Sequence, residues 1–486
     1  MTSLRQRTFN GMIWSAIDRF ASTGISFVFN IIIARLLMPE DYGIVAMIGI
    51  FLAICQCFID SGFSSALIRK SNRTAADLNT VFYFNTAISI ATYLLLFFTA
   101  PYIAHFYEQP LLIKVTRLVG LNLIINALSG VHNTLLSINL NFRSKAIISL
   151  TSVLLSGIVG LFMAYNGFGI MALILQGLAS SSIRSILFCL LVKWRPKLEF
   201  SVSSFKEMFS FGSKLLASSL IDTIYNNIYT LVIGKLFSPA KLGNYSRADG
   251  LAAFPSSGIT GVIQSVSFPV LSSIQNDETK LIASYKKFLR LSAFIIFPFM
   301  VGMAAVADPF IKFFLSEKWS GAILMTQILC IALMWYPIHA INLNILQVKG
   351  RSDYFLRLEI IKKFVGIATL CITIPRGLIV MCLGRIFTSI ISLPINAYYT
   401  NKIIKYGFWD QIKDILHILL LSVLMGMSVY SVILFIPHNW LRLIVGVSVG
   451  IILYTAGASL LKFPEWTDLI NIIKEKYYKR TTSSSL

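Results

Sequence analysis

The stretch "IARLLMPEDYG", Ile33 to Gly43, closes a long apolar run near the start of the chain, and "IGKLFSPAKLG", Ile233 to Gly243, closes another at an offset of 200 residues. Ile33, Leu36, Pro39 and Gly43 recur as Ile233, Leu236, Pro239 and Gly243, and Arg35 becomes Lys235, with no gap. Proline just after an apolar run fits the first turn of a new helix, where its missing N–H is not needed. The stretch therefore reads as a helix-to-helix corner, and a corner written twice with one spacing marks an internal repeat.

The repeat extends in both directions. Upstream, Arg19, Ser22, Thr23, Ser26 and Asn30 coincide with Ser219, Asp222, Thr223, Asn226 and Thr230. Spacings of three and four put each set on one helical face. Downstream, at an offset of 208, "APYIAHF" from Ala100 aligns with "DPFIKFF" from Asp308, and Arg143-Ser144 with Arg351-Ser352. Two shared registers predict two copies of about 200 residues.

Composition says what these copies are made of. The chain has 486 residues, 13% charged and 56% hydrophobic, against about 25% charged for a soluble protein, and a mean hydropathy of +0.75. Apolar runs of bilayer-crossing length, roughly 20 residues, are expected at 9–37, 42–63, 78–104, 115–138, 146–165, 169–192, 208–234, 242–272, 288–307, 321–347, 355–374, 378–400, 412–436 and 441–461. They are too long and too continuously apolar for transmembrane strands of about 10 residues. The fold class is an all-α polytopic membrane protein with about fourteen transmembrane helices. Residues 1–200 and 201–405 form two six-helix lobes, and 406–486 adds two helices and a basic tail.

The first run, after Arg5 and Arg7, is about twice the length of a signal-peptide core and is read as the first helix. The net charge is +21, yet the basic residues are dispersed among short loops and not gathered into a nucleic-acid patch. With the N-terminus in the cytoplasm, Lys and Arg favour the inner loops over the outer ones by roughly three to one, as the positive-inside rule requires. The reading is a multi-pass membrane protein with both termini cytoplasmic. Cys55, Cys57, Cys189, Cys330, Cys371 and Cys382 all fall within apolar runs without zinc-like spacing. No metal and no cofactor are expected.

An even number of crossings per copy makes the lobes parallel and places a cavity between them. Ionisable groups at mid-membrane cost at least about 2.5–3.5 kcal/mol and normally face protein or water. Arg19, Arg184, Lys214 and Arg247 are therefore the candidates to hold an anion, since Arg and Lys bind phosphate through charge-assisted hydrogen bonds. Ser22, Ser26, Asp222, Asn226, Tyr225 and Tyr229 form a polar and aromatic lining suited to sugars. Asp18, Asp60 and Asp222 are candidates for a coupling ion. Each has a structural alternative: Arg247, Arg385 and Lys214 sit near span ends and could snorkel, whereas Arg19, Arg184 and Asp222 could form buried ion pairs.

An enzyme reading is disfavoured. The acids Asp60, Asp308 and Glu317 form no evident pair, no Ser/His/Asp array emerges from five histidines, and "GFGIMALILQG" is a membrane turn, not a phosphate loop. Inter-span segments under about 20 residues are too short for a sugar-nucleotide domain, which argues against a membrane glycosyltransferase or polymerase.

The start "FNGMIWSAIDRFASTGISFVFNIIIARLLMPEDYGI", with "DSGFSSALIRK" (Asp60 to Lys70), "LGNYSRADGL" (Leu242 to Leu251) and "SEKW" (Ser316 to Trp319), resembles Wzx-type polysaccharide transporters. These belong to the multidrug/oligosaccharidyl-lipid/polysaccharide exporter superfamily, and the colanic-acid-exporter-like branch is the most similar. The resemblance implies a flippase for an undecaprenyl-diphosphate-linked oligosaccharide, the repeat unit of an O-antigen, capsule or exopolysaccharide. Its partners would be that glycan, membrane lipids, and the polysaccharide polymerase and export machinery, with no nucleic acid. Peptidoglycan-precursor flippases of the superfamily hold the diphosphate with arginines of their first and eighth helices, which Arg19 and Arg247 occupy here. The alternative within the superfamily is a cation-coupled small-molecule exporter.

Overall fold

A computed structural model of the chain describes residues 4–60, 62–468 and 470–471, with only the backbone of residues 4–10, 12 and 13. The basic tail expected at 474–486 lies outside the described residues. The helices are α1 (Leu4–Leu36), α2 (Pro39–Asp60), α3 (Phe63–Arg69), α4 (Ala75–Tyr107), α5 (Leu111–Ile138), α6 (Phe142–Tyr165), α7 (Ile170–Leu191), α8 (Val202–Leu236), α9 (Pro239–Ser273), α10 (Glu278–Ala305), α11 (Ala307–Phe314), α12 (Gly321–Leu333), α13 (Tyr336–Val348), α14 (Ser352–Thr373), α15 (Leu378–Ile404), α16 (Phe408–Leu434) and α17 (Asn439–Leu460). No strand occurs among the described residues, so the all-α expectation holds.

Among the described residues, 11 helical spans are long and apolar enough to cross a membrane. The other three expected spans fall on α8, α9 and α14, which have the length but carry more polar residues. The expected single span at 321–347 is two end-to-end helices, α12 and α13, because Pro337 near the start of α13 cannot donate back into the preceding turn.

Contacts divide the chain into two compact units, residues 1–246 and 247–486. In the first, α1 packs on α6, α4 on α5, α7 on α5 and α6, and α8 on α2. Both corners lie in this unit and begin their second helix with proline at the first position, Pro39 in α2 and Pro239 in α9. A Cβ on Gly43 would lie 1.8 Å from the Pro239 carbonyl oxygen, and a Cβ on Gly243 would lie 1.8 Å from that of Pro39. The contact is reciprocal: the two copies of the corner pack back to back, and only glycine lets the backbones approach so closely. A second close approach joins α8 to the same unit at Gly62, whose left-handed φ of 74° suits glycine and whose Cβ would meet the Gly212 Cα at 2.8 Å.

In the second unit, α10 lies against α16, and α17 against α11 and α16. The two C-terminal helices dock through specific groups as well as apolar area. The Tyr454 hydroxyl donates to the Phe294 carbonyl at 2.9 Å, Arg442 pairs with Asp308 at 3.5 Å, and Gly426 makes room for the Val301 side chain. The downstream repeat differs in structure between its copies. Pro101 sits inside the continuous helix α4, whereas α10 stops at Ala305 and Pro309 belongs to the separate short helix α11.

Candidate functional site

The polar stripe of α1 is used in two directions. Ser22 Oγ donates to Asp18 Oδ1 at 2.9 Å and sits 3.0 Å from Ser149 Oγ of α6. Lys145, also on α6, attracts Asp18 electrostatically. Asp18 and Ser22 thus face the neighbouring helix, where polar groups away from water find their partners. Arg19, one residue on and about 100° round the helix, is exposed. Ser26 is bonded within its own helix, its carbonyl and hydroxyl both receiving Asn30 Nδ2, at 2.8 and 3.2 Å.

On α8, Lys214, Asp222 and Asn226 are exposed, and Tyr225 and Tyr229 are half-buried. Thr223, on the α2 side of α8, lies 3.1 Å from Cys57 Sγ. Asp60 is exposed at the end of α2 and accepts a hydrogen bond from Gln56 at 3.0 Å.

Arg184, unlike Arg19 and Lys214, is not exposed. It is half-buried on α7, and its Nε is buried without a hydrogen-bond partner in the protein. The next residue, Ser185, donates to the Ile125 carbonyl at 2.6 Å and to Ser129 Oγ at 3.0 Å on α5, which sets the depth of Arg184 against that helix. Gly120 of α5 faces the Tyr93 ring of α4. Counting back along these antiparallel helices puts Asn85 and Thr86 within about a turn of Ser129. Asn85 Oδ1 and Thr86 Oγ1 are also buried without partners, as is Asn122 Oδ1 about two turns before Ser129 on α5.

Burying a polar atom unbonded costs about 1–3 kcal/mol. A guanidinium with an unmet donor in a membrane helix is therefore a place where a bound polar group would recover energy. Sequence reading picked out Arg184 but passed over Asn85, Asn122 and Asn126. Their signal was present, since Asn122 and Asn126 stand at i and i+4 in an apolar span, one helical face.

In the second unit the Arg247 guanidinium of α9 lies 5.3 Å from the centre of the Trp319 ring, within cation–π range. Arg385 of α15 forms an ion pair with Asp249, so its charge is met by protein. The structure thus brings Asp18 together with Ser22 and gives Arg247 an aromatic face. Arg19, Arg184 and Lys214 lie on three separate helices of the first unit. Among the described residues no group of three or more His, Cys, Asp and Glu could hold a metal ion.

The comparisons with known proteins agree with this architecture. Residues 32–324 match the model of a family described as polysaccharide biosynthesis protein. The chain is 26% identical over 404 residues to the lipopolysaccharide biosynthesis protein WzxC of Escherichia coli (strain K12), covering 82% of each chain. It is 23% identical over 461 residues to the teichuronic acid biosynthesis protein TuaB of Bacillus subtilis (strain 168), covering 93% of this chain and 95% of that one. Its fold is similar to that of the lipid II flippase MurJ in an inward closed conformation, with a TM-score of 0.78 at 19% identity over 94% of this chain and 100% of that one. With the family model covering more than half of its length, the chain belongs to the polysaccharide biosynthesis protein family.

Proposed function

We propose that the protein is a flippase that carries an undecaprenyl-diphosphate-linked oligosaccharide from the cytoplasmic to the outer leaflet of a bacterial inner membrane by alternating access. The observation that carries this reading is the buried, unmet Nε of Arg184 within a membrane helix, in a chain of the polysaccharide biosynthesis family. A diphosphate supplies the acceptor oxygens such a donor lacks, through charge-assisted hydrogen bonds.

In this reading Arg184 is the central phosphate ligand, and Arg19, Lys214 and Arg247 guide the anion in and out. Ser26, Asp222, Asn226, Tyr225 and Tyr229 contact sugar, Asp60 and Asp222 are the groups available for ion coupling, and Asp18 and Ser22, expected in those roles, instead hold α1 to α6. Residues 1–200 and 201–405 act as rocking lobes with 406–486 appended. Both termini lie in the cytoplasm, which follows from the loop charges and puts the Pro39 and Pro239 corners on the outer side. The polymerase that consumes flipped repeat units is the expected downstream partner.

The test is a deletion strain. Lipid-linked repeat units should accumulate on the cytoplasmic face and be cleared by restoring the wild-type chain. A strain lacking the protein with no such accumulation would overturn the reading.

A further inference from the structure

Between α1 and α6, at the corner end of both helices, lies a lateral groove of about 580 Å³ lined by Ile32, Leu36, Ile158, Leu161 and Phe162. Its mouth carries Arg35, Tyr165 and Asn166. We propose that this groove seats the hydrocarbon chain of a polyprenyl phosphate lipid in the outer leaflet, with Arg35 and Asn166 at its phosphate. The inference rests on the carrier and orientation proposed above.

Three features point to that occupant. Ile32, Leu36, Ile158 and Phe162 are exposed apolar side chains, a lining that suits hydrocarbon and not water. The cation stands only at the mouth, at the end of α1 where the last residues approach the interface, and Tyr165 beside it is of the type that settles at head-group depth. A phosphate over a hydrocarbon chain matches that arrangement in both charge and polarity.

The trough is also single. On its inner side the Phe29 ring beds onto Gly157, where a Cβ would come within 2.3 Å of the ring, and this closes the α1/α6 seam. Behind the groove, Ile33 and Leu37 pack on Ala164 and Ala172. One trough between two closed contacts accepts one chain, which favours a polyprenyl lipid over a two-chain phospholipid. The same seam carries Asp18, Ser22 and Ser149 at its other end.

The experiment uses the full chain in nanodiscs of phosphatidylcholine with a fluorescent polyprenyl phosphate as probe. Wild type should bind it, Ile158→Trp should fill the groove and abolish binding, and Arg35→Gln should weaken it roughly tenfold, the loss expected for one charge-assisted hydrogen bond. Thermal unfolding of each variant establishes that it is folded; if Ile158→Trp fails to fold, Leu161→Phe replaces it. Excess phosphatidylglycerol should not displace the probe. Displacement at equal concentration would identify an ordinary phospholipid site and overturn the proposal, as would unchanged binding in a folded groove-filling variant. Normal binding by groove variants in a protein whose deletion accumulates glycan overturns the groove alone, whereas absence of accumulation overturns the carrier reading.

Discussion

Each compact unit buries both met and unmet polar groups, and one set from each shows what the difference does. In the second, Asn342 of α13 and Gln411 of α16 exchange amide hydrogen bonds, Asn342 Nδ2 to Gln411 Oε1 at 2.9 Å and Gln411 Nε2 to Asn342 Oδ1 at 3.1 Å. Thr400 of α15 adds a third bond to Asn342 Oδ1 at 2.7 Å, and His339 is held between Asn396 at 2.8 Å and Ser389 at 3.3 Å. In the first, Asn85, Thr86, Asn122 and Arg184 each leave a buried atom unbonded by protein. A closed network locks helices together. An open one costs stability, and an open one holding a cation is where a ligand is expected to matter.

The corner contact, within the first unit, sets the upper end of the scale. Gly43→Val places a side chain on the Pro239 carbonyl, a backbone atom that cannot swing aside. It should destabilise the protein by about 3 kcal/mol or more, read as a loss of folded protein in detergent unfolding, and Gly243→Val should do the same. Equal tolerance of both would remove the corner from the account of the fold.

Arg184→Gln tests the open side of the comparison. Removing a cation with an unmet donor should leave thermal stability unchanged or higher, while export per folded molecule falls roughly tenfold or more. Wild-type export would end the assignment of Arg184 to the substrate. Gln411→Leu tests the closed side: it strands the Asn342 amide and should cost about 1–3 kcal/mol with little effect on export per folded molecule. Replacing both, Asn342→Leu with Gln411→Leu, should recover most of that loss, because two apolar groups leave nothing unbonded.

The smallest effect is at the surface. Glu108, just past the end of α4, accepts from Lys235 at 2.9 Å, and this hydrogen bond holds its carboxyl below the ordinary glutamate range. A depressed pKa in the folded state adds stability that is fully present above the unfolded value and is lost as pH falls through the folded one. Unfolding midpoints should therefore drop on acidification below about pH 4.5 slightly more for wild type than for Lys235→Met. The pair is exposed, and such pairs contribute little.

Much of this molecule was legible beforehand, and the reasons are local. Helix lengths follow from apolar runs, corner positions from proline, and repeat register from matched residues, all of which sit within a few turns of chain. The break inside the span at 321–347, which otherwise stands as one crossing-length segment, also has a local cause, since Pro337 was present but the run was apolar on both sides of it. The site was legible only in part. Arg184 stood out as a cation in an apolar run, whereas the unbonded atoms of Asn85 and Asn122 follow from how α4 and α5 pack.

The two copies of "APYIAHF" and "DPFIKFF" show the limit from another side. Their alignment is plain, yet one is the end of a continuous helix and the other begins a separate one, where Asp308 meets Arg442 of α17. Ala100, at the corresponding position, is wholly buried. The partner comes from a helix with no counterpart in the first copy.

By itself the sequence determined an all-helical membrane protein with an internal repeat and a corner at the end of the first helix of each copy. Hydropathy and periodicity are properties of neighbouring residues, and no tertiary contact is needed to express them. Only the tertiary structure decided that the two corners meet, Gly43 against Gly243, and that Ser22 turns to Ser149 while Arg184 is left with an unmet donor. Those facts depend on which helices become neighbours, which is set by packing across long stretches of chain and leaves no periodic trace in either partner.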